Sequence, residues 1–146
     1  MDVKFTVLQR GFELHKHEYE EAALRALRSG WYVLGNELES FEKEFSSYIG
    51  MNYGIGVNSG QDALILAVRA LGIGAGDEVI TQSNAYIASV FGITENGATP
   101  VFVEPDKYFG MDPEKLKAAI TPKTKAILPV YLYGHICDMS RIKAIA

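Results

Sequence analysis

The 146 residues are enough for one domain and leave little room for two. A hydrophobic fraction of 48% with 22% charged residues permits a real core and excludes wholesale disorder. Fourteen basic against eighteen acidic residues, with no Lys/Arg stripe, argue against nucleic-acid binding, and no apolar run is long enough to cross a bilayer.

The N-terminus, Met1-Asp2-Val3-Lys4-Phe5, lacks the layout of a signal peptide. A lone cysteine, Cys137, cannot build a disulfide framework or a multi-thiolate metal site. Both features point to the cytoplasm. Residues 1–16 carry no clear period. The stripe Tyr19, Ala22, Ala23, Ala26, Leu27 predicts a helix over 18–29, ended by Gly30. After Trp31-Tyr32-Val33-Leu34-Gly35, Asn36 can cap a second helix with Leu38, Phe41, Phe45, Tyr48 and Ile49 on one face and Gly50 at its end.

From there the rhythm alternates. Strands are predicted over 53–57, 78–81, 100–103 and 125–130, and helices over 61–71, 86–95, from Asp112-Pro113, and from Met139 behind an Asp138 cap. Apolar strands alternating with amphipathic helices imply an α/β fold, its mostly parallel sheet covered by helices on both faces. The chain divides into a leading helical segment, 1–52, and an alternating strand/helix core, 53–146. That core is expected to be incomplete, because the last predicted helix stops in mid-pattern.

In open α/β sheets, ligands bind at the carboxyl ends of the strands, so the loops there are the candidate sites. After the first predicted strand, Ser59-Gly60-Gln61 leads straight into a helix. The free N–H groups and dipole of that helix start suit a phosphate. The same residues also suit a plain serine cap followed by a turn glycine. After the second strand, Tyr86 opens a helix, where its ring could stack on a planar ligand or staple the helix to the core. After the fourth, Tyr131, Tyr133 and His135 crowd one loop. His135 could exchange protons or be merely structural, since no carboxylate or serine partner is visible. His15 and His17 have no metal-ligand companions, and no metal is assigned. Together the loops suggest a phosphate-bearing planar ligand in a cleft.

The chain resembles the DegT/DnrJ/EryC1/StrS family of sugar aminotransferases over nearly its whole length. The similar segments, in order, are Ser29-Gly30-Trp31-Tyr32-Val33-Leu34-Gly35, Phe41-Glu42-Lys43-Glu44-Phe45, Ser59-Gly60-Gln61-Asp62-Ala63-Leu64 and Gly76-Asp77-Glu78-Val79-Ile80. They continue with Gly97-Ala98-Thr99-Pro100-Val101-Phe102-Val103, Thr124-Lys125-Ala126-Ile127 and Pro129-Val130-Tyr131-Leu132-Tyr133-Gly134.

The resemblance implies the N-terminal portion of a fold-type I transferase large domain that depends on pyridoxal 5'-phosphate. It implies a cytoplasmic homodimer that moves an amino group from glutamate to a nucleotide-linked keto-sugar, with pyridoxamine 5'-phosphate as intermediate. Ser59, Gly60 and Gln61 would hold the cofactor phosphate, Tyr86 would stack on its ring, and Tyr131, Tyr133 and His135 would face the substrate. Tyr131 and Glu104 stand where many relatives have histidine and aspartate. The family's Schiff-base lysine lies downstream of this segment. No lysine among Lys4, Lys16, Lys43, Lys107, Lys115, Lys117, Lys123, Lys125 and Lys143 is expected in a loop at the carboxyl end of a strand. The segment alone is therefore expected to be inactive, with the remainder of the polypeptide as its partner. Alternatives are a sugar dehydratase of the same family and a non-catalytic phosphate-ligand binding or interaction domain.

Overall fold

The structure, a computed structural model, describes residues 4–146. Of the N-terminal residues read above, Met1, Asp2 and Val3 lie outside it. The chain divides into two compact units, Met1–Gly56 and Val57–Ala146.

The first unit holds helices α1 (Leu8–Leu14), α2 (Lys16–Ser29) and α3 (Asn36–Tyr48). Helix α1 falls where the sequence shows no period. Helix α2 closes on Gly30, whose φ of 67° is the left-handed conformation a glycine adopts without strain. The expected Asn36 cap is not used. Asn36 is already helical, and the cap position falls on Gly35, where a β-carbon would stand 3.1 Å from the Trp31 carbonyl oxygen.

The Arg25 guanidinium donates to both Glu37 carboxylate oxygens, at 2.7 and 3.0 Å. This holds Glu37 below, and Arg25 above, their ordinary ranges. The pair is exposed, so its contribution is small. For Glu37 it is present above the unfolded carboxylate pKa and is lost as the pH falls through the depressed one. No apolar side chain of the three helices is buried, and Tyr19, Leu27, Phe41 and Phe45 stay exposed.

The first predicted strand, 53–57, does not form. A strand needs a ladder partner, and among the described residues none pairs with this segment. Instead the Gly56 N–H donates to the Glu42 carboxylate at 2.6 Å, and a β-carbon on Gly54 would stand 2.7 Å from the Glu42 carbonyl oxygen. The segment lies against a helix.

The second unit runs α4 (Gly60–Ala70), β1 (Glu78–Gln82), α5 (Ile87–Thr94), β2 (Thr99–Val103), α6 (Pro113–Ala119), β3 (Thr124–Leu128), a 3-10 turn (Leu132–Gly134) and α7 (Met139–Ile145). The other three predicted strands are thus present. The predicted caps Asp112 and Asp138 accept the Glu114 N–H at 2.9 Å and the Arg141 N–H at 3.1 Å. The sheet is parallel with order β2-β1-β3. The chain steps from β1 to β2 in one direction and then back across β1 to reach β3. Crossovers of one hand that reverse direction must put their helices on opposite faces of the sheet. The two cores agree. Val79 packs with Val68, Ile73, Ile93 and Ala98 beneath α4 and α5. Ile80 packs with Val103, Met111, Leu116, Cys137 and Ile142 beneath α6 and α7.

Candidate functional site

Because the chain leaves β1 toward β2 but returns to pair β3 on the other side, the loops after β1 and β3 diverge. Such a switch point opens a crevice at the carboxyl edge of the sheet, where α/β proteins hold ligands.

The phosphate-side candidates sit at a helix start, as expected. The Ser59 hydroxyl accepts the Asp62 N–H at 3.1 Å and donates to the Asp62 carboxylate at 2.9 Å. The cap uses the Asp62 donor and leaves the first N–H groups of α4, at Gly60 and Gln61, without an intrahelical acceptor. A β-carbon on Gly60 would meet nothing within 4 Å, so no neighbouring atom crowds this side of the helix start.

Helices α4 and α5 run in the same direction. A β-carbon on Gly92 would lie 2.7 Å from the Leu64 β-carbon. Four residues on, the Asn96 amide donates to the Ile65 carbonyl at 3.0 Å and its oxygen accepts from the Arg69 guanidinium at 3.1 Å. From Leu64 back to Ser59 and from Gly92 back to Tyr86 the helices rise about 7.5 and 9 Å respectively, so their caps end at nearly the same level. Tyr86, the cap residue of α5, is 74% exposed there. Ser59, Gly60, Gln61 and Tyr86 therefore share one end of the α4–α5 pair.

The substrate-side candidates lie on the loop after β3. Tyr131 is half-exposed, and Tyr133 and His135 are exposed. The structure brings the last two against the loop after β2. The Tyr133 ring meets Phe109 edge-on at 5.6 Å, and His135 lies 5.9 Å from Tyr108. That loop also corrects the lysine expectation. Lys107 does occupy a loop at the carboxyl end of a strand, but it is exposed and its ammonium rests 4.9 Å from the centre of the neighbouring Tyr108 ring. Among the described residues, no three His, Cys, Asp or Glu side chains converge as metal ligands, and no helix is long and apolar enough to cross a membrane.

Sequence reading missed Gln82. It ends β1 fully buried, its amide donating to the Asn84 side-chain oxygen and the Phe109 carbonyl, both at 3.1 Å, while its oxygen accepts the Val130 N–H at 3.1 Å. The available signal was a polar residue closing the run Glu78-Val79-Ile80-Thr81, in phase with Ile80.

If the open space over Gly60 receives an anion, Gly60→Val should separate folding from binding. The unfolding free energy is expected to stay within about 0.5 kcal/mol of the parent. Affinity for a phosphate-bearing ligand should fall at least tenfold in a titration, and equal affinities would refute the assignment.

A parallel α/β unit with two helix N-termini at one end of its helix pair is an arrangement able to hold a phosphate. Comparison with known proteins narrows this. Residues 13–146 match the DegT/DnrJ/EryC1/StrS aminotransferase family, and the chain belongs to it. Over 133 residues it is 53% identical to a dTDP-3-amino-3,6-dideoxy-alpha-D-galactopyranose transaminase of Aneurinibacillus thermoaerophilus, covering 90% of this chain and 37% of that protein. The crystal structure of Streptomyces venezuelae DesV in complex with a ketimine intermediate superposes with a TM-score of 0.93 at 50% identity, over 99% of this chain and 39% of DesV. The PLP form of Spr1654 from Streptococcus pneumoniae, a sugar aminotransferase by name, gives 0.80 at 41% identity, over 84% and 31%. The chain thus spans less than half the length of the relatives it matches.

Proposed function

We propose that this chain is the N-terminal segment of a cytoplasmic, homodimeric aminotransferase of deoxyamino-sugar biosynthesis. The enzyme uses pyridoxal 5'-phosphate to move an amino group from glutamate to a nucleotide-linked keto-sugar. The observation that carries this reading is the pair of parallel helix starts, with open space over Gly60 beside an exposed Tyr86. These residues fit the cofactor. The Gly60 and Gln61 N–H groups would hold its phosphate, joined by the Ser59 hydroxyl once it turns its proton from Asp62 to the phosphate, and the Tyr86 ring would lie against its pyridine. Bound there, the cofactor supplies an electron sink for transferring the amino group.

This chain's own residues bind and orient. The α4 dipole neutralises part of the phosphate charge. Tyr86 fixes the plane of the ring. Tyr131, Tyr133 and His135 line the side on which the sugar enters. The poised amine and the carboxylate facing the pyridine nitrogen come from the remainder of the polypeptide.

The test is spectroscopic. The full-length polypeptide, loaded with pyridoxal phosphate, should shift its absorbance when glutamate is added and shift back with a nucleotide-linked keto-sugar. A spectrum indifferent to glutamate would overturn the reading. A preparation shown by mass spectrometry to contain only residues 1–146 should give no glutamate-dependent turnover, and measurable turnover would refute its proposed dependence on the remainder.

A further inference from the structure

Two loops at the carboxyl edge hold backbone that a side chain resists. Phe109, after β2, has φ 67°, and Tyr133, after β3, has φ 56°. Neither is glycine, and each such residue persists only where its surroundings over-determine it. The two rings pack against each other, and both loops trace back to one buried carboxamide.

Gln82 is 0% exposed and all of its hydrogen-bonding groups are engaged. Its two amide hydrogens go to the Phe109 carbonyl and the Asn84 side-chain oxygen, each at 3.1 Å. Its oxygen takes the Val130 N–H at 3.1 Å, one residue before Tyr131. This set fixes the amide orientation, since the flipped form would face N–H with N–H. Asn84 reinforces it, donating to the same Phe109 carbonyl at 3.2 Å. Cys137 closes the ring, its sulfur accepting the Met111 N–H at 3.4 Å and lying 3.6 Å from the Val130 carbonyl oxygen. One side chain thus ties the end of β1 to the loops after β2 and β3.

We propose that Gln82 is a positioning residue for the sugar side of the site, setting where Tyr131, Tyr133 and His135 stand. The inference rests on the functional reading above. Gln82 shares the strand face of Ile80, toward α6 and α7, whereas the helix starts that would hold the cofactor belong to the opposite layer. Loss of Gln82 should therefore disturb the sugar side and spare the cofactor side.

The experiment compares wild-type enzyme with Gln82→Met, which keeps the length and removes every hydrogen bond. Hydrogen exchange should rise tenfold or more over residues 130–136 and stay unchanged over 59–70. The KM for the nucleotide-linked keto-sugar should rise about tenfold, the effect of leaving buried partners unsatisfied, while kcat and pyridoxal phosphate affinity stay within about threefold. Unchanged exchange at 130–136, or an equal loss of cofactor affinity, would overturn the proposal. If Gln82→Met does not fold, Gln82→Glu decides. Its retained oxygen still accepts from Val130, so residues 130–136 stay protected while 107–110 loosen, and equal loosening of both would count against the assignment. Failure of the enzyme to use any keto-sugar would sink the functional reading and the sugar-side role with it. The exchange data would still show whether Gln82 holds the loops.

Discussion

Gly92→Ala should lower the unfolding free energy by about 2 kcal/mol, the usual cost of forcing extra volume into a tight contact. In the full-length enzyme it should also weaken pyridoxal phosphate binding roughly tenfold. A new β-carbon would meet the Leu64 β-carbon at 2.7 Å, an atom too close to the backbone to swing aside. The helices cannot slide apart freely either. Asn96 holds them in register through the Ile65 and Gly92 carbonyls at 3.0 Å each and through Arg69 at 3.1 Å. The strain must travel along α4 and α5 to the ends that carry Ser59, Gly60 and Tyr86. Denaturant unfolding and a cofactor titration on the same variant check both halves. Unchanged stability would mean that the crossing is looser than described, and a stability loss with full cofactor affinity would detach the helix ends from binding.

The second large effect lies in the central strand. Ile80 is 0% exposed and packs between its neighbours beneath α6 and α7. Ile80→Ala should cost about 3 kcal/mol, within the range for isoleucine truncations that leave a cavity, and Ile80→Val about 1 kcal/mol. Chemical denaturation measures both. A pair of equal, small values would indicate a core able to collapse around the missing methyl groups.

Periodicity and capping chemistry made most of the second unit legible. Apolar strands alternating with helices, the Asp112-Pro113 start and the Asp138 cap are local signals, and the structure keeps them. What failed depended on partners distant in the chain. Residues 53–57 have strand composition, but a strand is a relation between two segments, and here the Gly56 donor finds Glu42 instead. Likewise, the sequence shows Gln82 only as a polar residue at a strand end. Its bonding partners Asn84, Phe109, Val130 and Cys137 lie 2, 27, 48 and 55 positions away. At the candidate site, Ser59, Gly60 and Tyr86 were each recognisable as helix starts. Their common level comes from the Gly92–Leu64 crossing, which no local pattern encodes. The candidate loops weighed from sequence left out the one after β2, where Lys107 stands.

The strand order also bears on how the chain emerges from a ribosome. Strand β1 is made first yet ends between two neighbours that do not exist when it appears. The residue opposite Glu78 is Thr99 on one side, 21 positions later, and Thr124 on the other, 46 positions later. At about 5 to 20 residues per second, β1 waits roughly 1 to 4 s for its first partner and 2 to 9 s for its second. Through that interval Val79 and Ile80, the apolar side chains of β1 that are later buried in the two cores, stand uncovered in a nascent chain. The middle strand of these three is thus available through that interval to a chaperone, or to another unfinished copy.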